Sequence, residues 1–270
     1  GSLMSRDIYS SVSGAVAVNT LIDTTRAFVA DTTLTASGND VSVSADTAAS
    51  GVAVTGAFVI AKSKSGSIGI AGGFGVNDLT RTSEAYVNAT LSSANLTITS
   101  TVTDTLTAVT AGAAASRMTG TANVAGSGTA GTHRSTAHAW IGDGAVITTS
   151  GDVSVDAHSV VNLLSVAGAV AIGGKVGVGA AVDIGTVTAN VQAWVGAATV
   201  NAGDDFALRA SANENILSIA ASLVAADQFG LSGVVATQTL DNTVKAELRS
   251  GADLRTAGDA LIDAFDHANV

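Results

Sequence analysis

The sequence has no cysteine and no proline among its 270 residues, and only 4% of them are aromatic. Without cysteine there is no disulfide framework, no thiolate zinc site and no cysteine nucleophile. That absence does not by itself assign a compartment. Positive charge is scarce as well: 12 Lys and Arg stand against 22 Asp and Glu, for a net charge of −10. Such a chain repels a phosphate backbone, and it shows no basic stripe, so nucleic acid is not an expected partner. No stretch reads as a signal peptide, which says nothing about export. The opening "GSLMSRD", residues 1–7, reads as a linker left by cloning, and Gly1 to Met4 are set aside from the fold.

What the sequence has is small and apolar. Hydrophobic residues make up 47%, which argues against disorder. Ala, Gly, Val, Ser and Thr dominate, so the expected core is thin and closely spaced. The longest apolar run, residues 166–185, reaches bilayer length but carries Lys175 and Asp183 and is broken by glycines. No stable transmembrane helix is expected there.

Self-comparison is the informative step. An alanine preceding an aromatic or its equivalent recurs in "RAFVAD", "EAYVNA", "HAWIGD", "QAWVGA" and "KAELRS", at Ala27, Ala85, Ala139, Ala193 and Ala246. The spacings are 58, 54, 54 and 53 residues. A second column, Asp40, Asn95, Asp152, Asp205 and Asp259, precedes an alternating triplet at a nearly constant distance from the first. Between them lie Gly- and Ala-rich segments in which β-branched residues alternate with small ones. That period of two predicts strands, and no segment carries a sustained helical stripe. Each repeat reads as a short strand ending at the aromatic, a turn, a short strand after the Asp or Asn, and two longer strands around a turn such as "IGGKVG". The small partners suggest strands buried on both faces. The expected fold is all-β, an elongated β-solenoid or stack of β-layers with repeats of about 54 residues. Residues 8–270 form one elongated repeat domain in this reading.

The repeat also acts as a control on candidate sites, because a structural residue recurs and a site residue need not. His138 occupies a position filled elsewhere by Arg26, Glu84, Gln192 and Lys245, as a solvated surface position would. His158 corresponds to Asp46, Thr101, Ser211 and Phe265, equally mixed, and His133 reads as a loop residue. A zinc site from these three histidines is the weaker reading. Phe28, Tyr86, Trp140 and Trp194 form one aromatic column. It reads as a structural stack, with an exposed row for glycan or protein as the rival. Asp40, Asn95, Asp152, Asp205 and Asp259 suit turns, because Asx side chains bond nearby backbone N–H groups. The rival is calcium, with Asp40, Asp152, Asp205 and Asp259 as candidate ligands and Asp143 and Asp204 nearby. Carboxylates stacked about 4.8 Å apart repel by about 1 kcal/mol in water and need solvent, hydrogen bonds or a cation. The nonapeptide calcium repeat is absent. No nucleophile elbow or phosphate-binding loop leading into a helix appears, so no catalytic residue, cofactor or enzyme activity is assigned.

The cassettes "GAVAVNT…TTRAFV", "VAGAVAIGG…GTVTANVQAWVG" and "AWIGDGAVITTSGDVSVDAHS" resemble the repeats of giant bacterial exported proteins, the leukotoxin-type filamentous adhesins and related β-strand repeat exoproteins. The likeness covers nearly all of residues 8–270. It implies an extracellular or cell-surface virulence stalk of β-solenoid architecture, and supplies no catalytic residues. The second repeat departs from the pattern in "VNATLSSANLTITST", which lacks the Gly-Asp turns. The third departs in "AGAAASRMTGTANVAGSGTAGTHRST", which is more polar and Gly-rich.

The expected function is a non-catalytic structural and adhesive stalk. Its partners would be neighbouring repeats of the same chain and a host-cell or matrix surface, with end-to-end self-association of the molecule. Two alternatives stand beside it. One is a membrane-active, leukotoxin-like segment whose strands open into a barrel. The other is a glycan- or ice-binding module built on the Thr-rich run at residues 97–107.

Overall fold

The computed structural model describes residues 2–5, 10–61, 67–116 and 122–270. Of the linker assigned to residues 1–7, residues 1, 6 and 7 lie outside the described residues. The described chain has no helix. Its strands are β1 (Ser2–Ser5), β2 (Ser10–Ala36), β3 (Val41–Ala61), β4 (Ile68–Ser93), β5 (Leu96–Ser116), β6 (Ala122–Ile141) and β7 (Val146–Thr149). They continue with β8 (Val153–Ile172), β9 (Val176–Val195), β10 (Thr199–Ala202), β11 (Phe206–Ala225), β12 (Phe229–Leu248), β13 (Asp253–Thr256) and β14 (Ala260–Asn269).

All strand pairs are parallel. The first sheet has the order β1-β3-β5-β8-β11-β14. The second runs β2, β4, β6 with β7, β9 with β10, and β12 with β13. One circuit of the chain follows β8 along the first sheet and reverses at residues 173–175. It returns as β9 along the second sheet, adds the short β10, and enters the first sheet again as β11 beside β8. The result is a β-solenoid-like stack of two facing sheets.

The recurring sequence columns are register neighbours. Ala27, Ala85, Ala139, Ala193 and Ala246 pair in succession along the second sheet. Val41, Leu96, Val153, Phe206 and Ala260 do the same along the first. Among the described residues a register shift within a pair lies between Ala30 and Thr33, where Asp31 takes a φ of 51°. The reversal in "IGGKVG" needs glycine. Gly173 and Gly174 have φ of 84° and 87°, and a Cβ on Gly173 would lie 1.9 Å from the Ser116 carbonyl oxygen.

Three expectations are corrected. The strand after the Asp or Asn is not short: β8 runs 20 residues, because the alternation from Val153 onward meets no turn residue before Gly173. The short strand instead lies between the two columns, as in β7 and β10. In the second circuit, where the Gly-Asp turn is missing, long and short strands fuse into the continuous β4. Strands are buried on one face only, since the described residues form two sheets and no third layer. Val16 and Val52 are 74% and 75% exposed on the outer faces. Finally, Ser2–Ser5, set aside as linker, pair with Phe58–Ala61 of β3.

The core between the sheets is built from Ala, Val, Leu and Ile, with Phe206 its largest buried side chain. Burying each larger aliphatic side chain contributes about 1.5–3 kcal/mol. A large cluster including Val87, Ile98, Ile141, Val155 and Leu208 lies at the end that carries the aromatic and Asp columns. A smaller one including Val59, Ala125 and Ala169 lies near the Gly turns. Between them runs a polar belt containing Asn77, Arg81, Asp104, His133 and Asp183, all buried. Twenty residues at about 3.3 Å make each long strand about 66 Å, while five stacked circuits at about 4.8 Å span about 24 Å. The described residues are thus wider across the strands than they are long down the stack.

Candidate functional site

The Asp and Asn column stands at the turn that feeds the first sheet, and its side chains link successive circuits. Asn95 Nδ2 donates to Asp40 Oδ1 at 2.7 Å. The Asp152 amide donates to Asn95 Oδ1 at 2.8 Å, the Asp205 amide to Asp152 Oδ1 at 3.1 Å, and the Asp259 amide to Asp205 Oδ1 at 2.8 Å. The two short amide bonds fall where glycine precedes the donor. A Cβ on Gly151 would sit 2.3 Å from Asn95 Oδ1, and one on Gly258 2.2 Å from Asp205 Oδ1. The Gly-Asp dipeptide therefore lets one Asx side chain reach over to the next backbone N–H. Asp143 does likewise one turn earlier, accepting from the Ala197 amide at 2.8 Å.

Calcium would need clustered oxygens. Carboxylate oxygens of Asp152, Asp204 and Asp205 lie within 4.8 Å of one another, and all three residues are exposed. Asp40 and Asp259 do not join that group. Each Asx of the row already uses one oxygen as an acceptor within the fold, save Asp259, for which no such acceptor bond is seen among the described residues.

The aromatic column is a continuous stack on the outer face of the second sheet. Ring centroids are 5.1 Å apart for Phe28 and Tyr86, 4.3 Å for Tyr86 and Trp140, and 4.7 Å for Trp140 and Trp194. The rings are near parallel, within 13°. Parallel in-register strands force this, since each ring is the register neighbour of the last. In the final circuit Glu247 takes the ring's place, and Arg249 covers the stack with its guanidinium 4.2 Å from the Trp194 centroid. Arg249 also pairs with Glu247 at 2.8 Å.

The histidines do not converge. His138 is half-buried beside Trp194, with its ring edge-on at 5.4 Å. Burial holds its pKa below the ordinary value, against the opposing pull of Glu84. His158 Nδ1 lies 2.6 Å from Ser211 Oγ. His133 is neither a loop residue nor exposed: it points inward from β6, with Nε2 3.1 Å from Asp104 Oδ2. Polar residues at inward positions of β6 hide its strand character in the sequence.

Thr97, Thr99, Thr101, Thr103 and Thr105 project from the outer face of β5, but their register neighbours are Ser42 and Ser154, Ser44 and Asp156, Asp46 and His158, Ala48 and Val160, and Ser50 and Asn162. The row does not extend into a grid of threonines.

The buried ionisable groups are not visible in the sequence. Arg81 Nη2 lies 3.2 Å from Asp23 Oδ2, and Arg81 Nη1 3.9 Å from Asp104 Oδ1. Asp183 accepts from Ser165 at 2.6 Å and from Ser218. Glu214 is fully buried, and burial, reinforced by the nearby charge of Asp266, pushes its pKa up to about 7. Their even spacing from inward apolar neighbours is the only available signal, and it requires the register to be known first.

Comparison with known proteins gave no matching family model, no similar curated protein and no similar solved structure. The geometry of this chain therefore carries the functional argument alone.

Proposed function

We propose that the chain is a non-catalytic structural segment, a stalk or adhesive spacer of a large exported bacterial surface protein. The observation that carries this reading is the contrast between constant backbone and variable surface. Long parallel strands bond each circuit to the next, while the outer position at Arg26, Glu84, His138, Gln192 and Lys245 changes with every circuit. A scaffold needs the first and tolerates the second. Repeats of about 54 residues would each add one circuit, and weak contacts with a host-cell or matrix surface would sum through avidity. The outer edge of β12 has no neighbouring strand among the described residues, which favours end-to-end association.

Stretching single molecules from their two termini tests the reading. Circuits that peel one by one should release about 190 Å each, from about 54 residues at about 3.5 Å. Loss of all structure in a single low-force event would overturn a mechanical role.

A further inference from the structure

The stretch "VNATLSSANLTITST", residues 87–101, departs from the repeat pattern, and the stalk reading does not account for the departure. It holds two Asn-x-Thr triplets, Asn88-Ala89-Thr90 and Asn95-Leu96-Thr97. That sequence is the acceptor for attachment of a sugar to an asparagine amide. No other asparagine among residues 1–270 is followed by Ser or Thr at that spacing. Both triplets therefore fall in the one circuit that breaks the pattern, and a site residue need not recur.

The fold treats the two asparagines differently. Asn95 is engaged at both ends of its amide: Nδ2 donates to Asp40 Oδ1 at 2.7 Å, and Oδ1 accepts from the Asp152 amide at 2.8 Å. Asn88 stands on the outer face of β4, and Thr90 follows on the same face. The Asn88 side chain makes no hydrogen bond among the described residues, and its amide nitrogen is open to solvent. Its flanks are small. Ala30 is its register neighbour on one side, and the chain passes at Gly142 on the other. A Cβ on Gly142 would lie 3.0 Å from Asn88 Cβ and 3.2 Å from Asn88 Oδ1, so any larger residue would crowd the amide. Beside Asn88 opens a cleft lined by Asp31, Thr33, Thr90 and Asp143. Its hydroxyls and carboxylates are partners for the hydroxyls of a sugar.

We infer that Asn88 is a glycan acceptor, modified by a nucleotide-activated hexose, and that Asn95 is not. In the step, Asn88 Nδ2 attacks the anomeric carbon of the hexose. The bond from that carbon to the diphosphate oxygen breaks, and the nucleoside diphosphate leaves with the electron pair. Nδ2 gives one proton to a base of the transferase, so the new C–N bond leaves the amide neutral. Thr90 offers its hydroxyl from the same face as the second recognition element. Asn95 could react only by giving up its bond to Asp40, one of those that join successive circuits. Because Asn88 is open on the folded chain, a soluble transferase reaches it without unfolding the sheet. The inference rests on the exported-surface reading, but its test uses purified protein, so either can fail alone.

The folded protein is incubated with a soluble asparagine glycosyltransferase and UDP-glucose. Intact mass counts the sugars and peptide mapping locates them. Synthetic peptides of residues 84–93 and 91–100 present the same two triplets unfolded. Both peptides should take up glucose, whereas the folded protein should gain a single glucose, at Asn88. Asn88→Gln and Thr90→Ala should each abolish that gain, with unchanged circular dichroism as the check on folding. No sugar on the folded protein would overturn the inference. So would an unreactive 84–93 peptide, equal modification of Asn88 and Asn95 in the folded protein, or a gain that survives both substitutions.

Discussion

The guanidinium of Arg249 lies 4.2 Å from the centroid of the Trp194 ring and closes a stack that begins at Phe28. An interior ring has two stacked neighbours, whereas a terminal one has one. Each stacked pair contributes about 0.5–1.5 kcal/mol beyond its burial. Trp140→Ala should therefore destabilise more than Phe28→Ala, by about 0.5–1.5 kcal/mol in pairing alone, the worth of one stacked pair. Arg249→Ala should cost about 0.5–1 kcal/mol and red-shift the emission of Trp194. Urea midpoints followed by tryptophan fluorescence measure the order, using circular dichroism for Trp140→Ala; equal losses at both rings would contradict the stack.

The row of Asx side chains makes a separate prediction. Asp152→Asn keeps an oxygen for the Asp205 amide and should leave the melting midpoint nearly unchanged. Asp152→Ala removes the acceptor and should cost about 1 kcal/mol. Gly151→Ala should cost at least as much, since its methyl would meet Asn95 Oδ1. The same melts with calcium and with chelator separate the two roles. If the row binds calcium, the wild-type midpoint rises with the ion and Asp152→Asn abolishes the rise. If the hydrogen bonds suffice, calcium moves neither protein.

The difference between what the sequence reveals and what it hides is physical. Ala27, Ala85, Ala139, Ala193 and Ala246 are legible because parallel stacking repeats one environment at each circuit. The Gly173 turn is legible because only glycine fits its φ and the nearby Ser116 carbonyl. Arg249 is not, because it reaches the Trp194 ring from two residues beyond the column. Asp104 and His133 are not, because their partners come from different strands and a polar residue at an inward position looks like a surface residue. The Asx row is intermediate: its positions are plain, but its chemistry depends on which oxygen faces the next amide.

The buried charges near Asp104 should behave as a unit. Asp104→Ala would leave Arg81 and His133 facing an empty place in the core, at a cost of about 3–5 kcal/mol. Arg81→Met would leave Asp104 with His133 alone and weaken the hold on Asp23, with a smaller loss. The two losses should add to more than the double variant shows, because the second change removes a charge already stranded by the first. Denaturant midpoints for the four proteins complete the cycle, and strict additivity would mean that the groups do not interact.

Glu214 gives the clearest pH dependence. It is fully buried, and burial together with Asp266 raises its pKa from the ordinary 4.5 to about 7. Asn242 Nδ2 is held by both Asp266 oxygens, at 3.1 and 3.2 Å. Between pH 4.5 and 7 the folded chain therefore holds a proton at Glu214 that the unfolded chain has released. Where the folded state binds more protons, stability falls as pH rises. The contribution is complete below 4.5, declines through the window, and is level above 7. Glu214→Gln keeps the shape of the protonated acid and removes the titration. The midpoint of wild type minus that of Glu214→Gln should thus fall steadily from pH 4.5 to 7 and then flatten. A difference that stays constant across this window would show that Glu214 titrates like an exposed carboxylate.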